Sequence, residues 1–156
     1  LPAATNGAAL TLGMLDALVD QVPNGPDVIF MHPAVRRQYV NLLRTVGGGT
    51  DAAMMQLRNF SRPVLTHNGI PVLINEFLPT DETLGTGTAL TSVYACRMNE
   101  LDGLHAIYGG ASAGIRLEAI GTVQNKDAWR YRVKWYVGLA LKSTLSLARL
   151  EGVTTA

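Results

Sequence analysis

From Trp129 to Leu141 a large apolar residue stands at every second position. Trp129, Tyr131, Val133, Trp135, Val137, Leu139 and Leu141 fall on one side, and Arg130, Arg132, Lys134, Tyr136, Gly138, Ala140 and Lys142 on the other. A period of two places successive side chains on opposite faces of a strand and does not fit the 3.6-residue period of a helix. Unbroken, such a strand reaches ~40 Å at about 3.3 Å per residue, whereas most strands hold about five or six residues. The stretch predicts an extended arm, and its apolar side, which carries both tryptophans, predicts burial against other polypeptide.

The sequence before it reads as a mixture of helices and strands. Thr11 is placed to cap a helix whose stripe is Leu12, Leu15, Leu18, Val19 and Val22, with Asp16 and Asp20 turned away. Pro23-Asn24-Gly25-Pro26 ends that helix, and Val28-Ile29-Phe30-Met31 is short and wholly apolar, as expected of a central strand covered on both faces. His32-Pro33 opens a second helix with Val35, Tyr39, Leu42, Leu43 and Val46 on its apolar side and Arg36, Arg37 and Arg44 elsewhere. Gly47-Gly48-Gly49 closes it and leads into an expected mobile region, with a brief helical turn over Ala52 to Leu57.

Asn68-Gly69, between Val64-Leu65-Thr66-His67 and Ile70-Pro71-Val72-Leu73-Ile74, predicts a hairpin, because those two residues readily supply the positive φ angles of a tight turn. Pro71 cannot donate to a ladder, so pairing is expected to be incomplete beside it. Thr80 to Thr88 has the composition of an exposed loop tip and carries Asp81 and Glu82. Strands are expected over Leu90 to Arg97 and Leu104 to Tyr108, joined by a turn at Asn99 to Gly103. Ile115, Leu117 and Ala119 alternate with Arg116 and Glu118, a turn falls near Asn125-Lys126-Asp127, and a last apolar strand runs from Thr144 to Val153.

Composition narrows the function classes. With 47% hydrophobic and 16% charged residues among 156, the chain is not disordered, and its longest apolar runs are too short to span a bilayer. A soluble, globular chain without membrane contact is expected. Thirteen basic and 12 acidic residues leave a formal charge of +1, so no global field holds the chain on nucleic acid. Cys96 is the single cysteine and sits in the apolar run Val93-Tyr94-Ala95-Cys96, which reads as a buried structural thiol.

Signals for chemistry are weak. Gly110-Ala111-Ser112-Ala113-Gly114 matches the nucleophile elbow of serine hydrolases, but that motif needs a strand-to-helix turn, and Ile115 onward alternates like a strand. No histidine follows Ser112, although in those enzymes the histidine comes last. His32, His67 and His105 show no ligand spacing, so neither a metal nor another cofactor is expected. Gly47-Gly48-Gly49 and Gly85-Thr86-Gly87 lack the Gly-Lys-Ser/Thr of a phosphate loop. Arg130, Arg132 and Lys134 form the one charged stripe of regular geometry. It reads either as a solvated strand face or as a strip that meets acidic surface on a neighbouring subunit or packaged nucleic acid.

Taken in order, the helix at Leu12 to Val22, Asp27-Val28-Ile29-Phe30-Met31-His32-Pro33, the Arg36-Arg37 helix, His67-Asn68-Gly69-Ile70-Pro71-Val72-Leu73, Thr91-Ser92-Val93-Tyr94 and Arg130 to Ala140 resemble the later part of tailed-bacteriophage major capsid proteins of the Hong Kong phage type. The resemblance covers nearly the whole chain. It implies an α+β capsid fold in which 1–10 is a linker or segment start, 11–110 with 142–156 forms the axial domain, and 111–141 forms the β-ribbon of the peripheral domain.

The resemblance further implies a non-enzymatic shell subunit whose partners are other copies of itself in pentamers and hexamers, with weak contact to packaged double-stranded DNA. Such a subunit would assemble in the host bacterial cytoplasm and reside in the virion. Trp129, Trp135, Arg130, Arg132, Lys134, Asp81 and Glu82 are then candidate interface residues. An encapsulin-like protein compartment keeps this fold with different contents, and a small serine hydrolase using Ser112 is the reading from another class. The N-terminal arm, extended loop and spine helix of such subunits are not in this sequence, so it is expected to be a segment of a longer subunit or a degenerate prophage gene product.

Overall fold

The computed structural model describes residues 1–45, 54–55, 63–110 and 114–155. In chain order the elements are α1 (Leu12–Asp20), β1 (Val28–Met31), α2 (Pro33–Thr45), β2 (Met54–Met55), β3 (Val64–His67), β4 (Ile70–Ile74), β5 (Glu82–Leu84), β6 (Gly87–Cys96), β7 (Leu104–Tyr108), β8 (Arg116–Thr122), β9 (Trp129–Lys134), β10 (Val137–Leu141) and, after a 3-10 turn at Thr144–Ser146, β11 (Leu147–Thr154). They fall into two compact units, Leu1–Leu104 with Leu141–Ala156, and His105–Ala140.

The larger unit is built on a sheet in the order β11-β6-β1-β4-β3-β2, with β5 attached to β6. β1 is central as its apolar run predicts: it pairs in parallel with β4 (Ile29 opposite Val72) and antiparallel with β6 (Ile29 opposite Ala95). The Asn68-Gly69 turn forms as expected, with φ of +49° and +80°, and sets Thr66 opposite Pro71 and His67 opposite Ile70. The ladder to β1 starts one residue later, at Val72, leaving the missing Pro71 N–H outside it.

α1 begins where Thr11 Oγ1 accepts from the Met14 amide at 3.3 Å, and buries Leu15 and Leu18 completely. α2 starts at Pro33, where His32 Nδ1 accepts the Ala34 amide at 3.2 Å and so caps the helix; the helix buries Val35 and Tyr39. These four side chains join Ile29, Met31, Val93, Ala95, Leu150 and Val153 in one core. Each large aliphatic side chain removed from water there stabilises the fold by about 1.5–3 kcal/mol.

Four expectations are corrected. Residues 1–10 are not a free linker: Ala3 and Ala8 donate to Glu151 O and Gly152 O, and Leu10 is buried. They run beside β11 and cover backbone groups that a sheet edge otherwise leaves open. The tip over Thr80 to Thr88 contains β5 and the start of β6, paired through Glu82–Leu90 and Leu84–Gly87, so Glu82 stands in a strand. Within the expected helical turn, Met54 and Met55 instead pair antiparallel with Leu65 and Val64; the rest of that turn and the expected mobile region lie outside the described residues.

The fourth concerns the long strand, which breaks at Trp135-Tyr136. β9 pairs with β8 as far as Lys134 opposite Arg116, whereas β10 pairs with β7. The chain exchanges one ladder partner for another, and Gly109 N donates to Tyr136 O at the exchange (3.0 Å). An exchange of partner leaves the two-residue alternation intact, so the sequence pattern passes through it unmarked.

Candidate functional site

The described residues of the smaller unit present exposed strand faces. In the β8–β9 hairpin Leu117 faces Val133 and Ala119 faces Tyr131, so these side chains and Trp129 share one side; Arg116 faces Lys134 and Glu118 faces Arg132 on the other. Leu117, Tyr131, Val133 and Trp129 are 67%, 58%, 67% and 65% exposed. A two-stranded ribbon has no second layer of its own, so within the hairpin this apolar face is left uncovered. Trp135, 57% exposed, lies in the break between β9 and β10 rather than in line with that face.

The basic stripe is partly answered within its own hairpin. Lys134 Nζ sits 2.7 Å from Glu118 Oε2, and Arg132 stands opposite Glu118 across the ladder. The hydrogen bond from Lys134, with the charges of Lys134, Arg132 and Arg116, holds the Glu118 carboxyl below the ordinary glutamate range. Arg130 faces Gly121 and has no carboxylate opposite.

In the larger unit Asp81 and Glu82 separate in role. Glu82 accepts from Ser92 Oγ and from Arg149 Nη2 (3.1 Å), while Arg149 Nε donates to the same Ser92 oxygen at 2.9 Å. This joins β5, β6 and β11 within one chain and leaves Glu82 largely committed there. Asp81 stays exposed, with no ion pair among the described residues.

Cys96 and His67 are enclosed by the fold of the larger unit. Cys96 is 3% exposed, and burial pushes its thiol up to about 11, far from a reactive thiolate at neutral pH. His67 is bonded on both ring nitrogens, to the Tyr39 hydroxyl and to Asp16, a contact the sequence reading missed because it assigned Asp16 to solvent. Burial and the nearby Asp16 charge raise the Tyr39 phenol above its ordinary value. Ser112 lies outside the described residues. Among the described residues no cluster of three or more metal-ligating side chains occurs, and no helix is long and apolar enough to cross a membrane.

No protein-family model matches the chain, and neither does any curated protein. Among solved structures it is similar to the holo-SrpI encapsulin complex from Synechococcus elongatus PCC 7942, at 22% identity and a TM-score of 0.78 over 95% of this chain. The chain spans about half, 51%, of the length of that encapsulin chain. An encapsulin has the Hong Kong phage-type capsid fold, so the capsid-like fold implied by the sequence is found, without the phage coat itself being shown.

Proposed function

We propose that this chain is the later part of a shell subunit of the encapsulin kind, acting by self-assembly and not by catalysis. The observation that carries the reading is the capsid-like fold extending over 95% of the chain, and the uncovered apolar face of β8–β9 supports it. In a shell each subunit is held by several neighbours, so modest contacts suffice once the ring and lattice close. The larger unit takes the place of the axial domain and the smaller that of the peripheral ribbon, whose face from Leu117 to Trp129 is covered by further polypeptide. A shell in the bacterial cytoplasm then replaces the virion location implied by the phage resemblance.

Negative-stain microscopy of particles purified from the full-length product tests this. Closed shells of uniform diameter containing protein are expected. Monomers at micromolar concentration would sink the reading, and shells filled with double-stranded DNA would return it to the phage capsid. Esterase activity lost on Ser112→Ala would overturn the non-enzymatic part.

A further inference from the structure

The larger unit carries two unsatisfied features of opposite charge. On α2, Arg36, Arg37 and Arg44 surround Val40 and Asn41 in an open groove of about 270 Å³. Those turns recur at three to four residues, so the five side chains share one helix face. The helix contains no acidic residue, and among the described residues none of the three guanidinium groups meets a carboxylate. Arg36 Nε is shielded from solvent and has no acceptor among those residues.

The second feature is the loop after β4. Phe77 is 96% exposed, and Glu76 and Asp81 beside it are exposed and without an ion pair among the described residues. The loop is held in shape: Asn75 N donates to Met31 O at 3.0 Å, and Asn75 Oδ1 accepts the Phe77 amide at 2.9 Å. A phenylalanine buries about 150–250 Å² when covered, so an exposed ring on a backbone already held in shape offers a contact for which the loop itself needs little further ordering.

We propose that the Phe77 loop of one copy docks into the arginine groove of α2 on a second copy. Phe77 covers Val40 and lies against the guanidinium planes, and Glu76 and Asp81 face the guanidinium groups of Arg37 and Arg44. Arginine favours stacking on an aromatic face together with carboxylate pairing, which is why a ring flanked by acids suits this groove. Knob and groove are different patches of one subunit, so the contact is head-to-tail, and where its rotation closes it generates a ring, the geometry needed around a shell's symmetry axis. A nucleic acid would match the arginines and leave Phe77 and the two carboxylates without a role. The inference rests on the shell reading above and names one interface of it.

The test uses the full-length product with p-benzoylphenylalanine at position 77, irradiated after assembly and mapped by mass spectrometry. The expected adduct lies within residues 33–44 of a second copy. In parallel, Arg37→Glu and Glu76→Lys should each weaken self-association about tenfold by placing like charges together. The double variant should recover to within about threefold of the parent. Circular dichroism confirms that each variant folds. Well-formed particles whose adduct lies elsewhere, or a double variant no better than the single ones, overturn the contact and leave the shell reading standing; absence of any particle removes both. Mixed-sequence RNA that protects α2 in those particles, and is released by Arg37→Glu with self-association unchanged, also overturns it.

Discussion

His67 and Asp16, 51 residues apart in sequence, meet side chain to side chain, with the imidazole Nε2 2.9 Å from Asp16 Oδ1. On the other side of the ring Nδ1 lies 3.2 Å from the Tyr39 hydroxyl, which itself donates to Thr66 O at 2.9 Å. α1, α2 and the β3–β4 hairpin are thereby tied at one point, and Asn68 Nδ2 adds a fourth bond by donating to Asp16 (3.0 Å).

Tyr39→Phe should therefore destabilise the larger unit by about 1–3 kcal/mol, because the ring packing survives while the buried His67 Nδ1 loses its partner and the Thr66 carbonyl loses the Tyr39 donor. Asp16→Asn should cost less, within about 1 kcal/mol, since the Asp16 side chain is 54% exposed. Urea melts read both as a lower midpoint at unchanged slope.

The Lys134–Glu118 pair gives a pH signature. A carboxyl held below its ordinary range stabilises the fold above that range, near pH 4.3 for glutamate, and the contribution disappears as pH falls through the lowered value. In Lys134→Met the Glu118 titration, followed by carboxyl carbon NMR, should move upward. High salt should move it the same way in the parent chain, because the pair is exposed.

Cys96 should resist labelling. At pH 8 a thiol raised to about 11 and 3% exposed has almost no accessible thiolate, so a disulfide reagent should react only as fast as the fold opens. Full labelling within seconds in native buffer would contradict the burial described.

Gly87→Ala should loosen the N-terminal segment. A Cβ there would meet the Asn6 carbonyl, and that backbone cannot yield as a flexible side chain would. The expected cost is about 1–3 kcal/mol, with faster hydrogen exchange at the Ala8 amide, which donates to Gly152 O. Gly138→Ala, with nothing within 4 Å of its Cβ and no positive φ, should stay within about 0.5 kcal/mol.

Leu117→Lys combined with Val133→Lys puts two like charges directly opposite each other on the apolar side of β8–β9. Assembly of the full-length product should be lost by light scattering, while the melting of the larger unit stays unchanged. Normal assembly would show that this face is not covered in a shell.

Local pattern determined much of this protein. The Thr11 cap, the Pro33 start, the central strand Val28 to Met31 and the Asn68-Gly69 turn follow from side-chain periodicity and backbone preference within a few residues, and each stands where the sequence puts it. The opposite faces of β8 and β9 were equally legible, because alternation is a property of a single strand. Tertiary structure alone decided the exchange of ladder partner at Trp135-Tyr136, the docking of residues 1–10 along β11, the capture of Glu82 by Ser92 and Arg149, and the meeting of Asp16 with His67. Those outcomes depend on which distant segments share a surface, and that is set by packing of the whole core, to which a period of two or of 3.6 carries no reference.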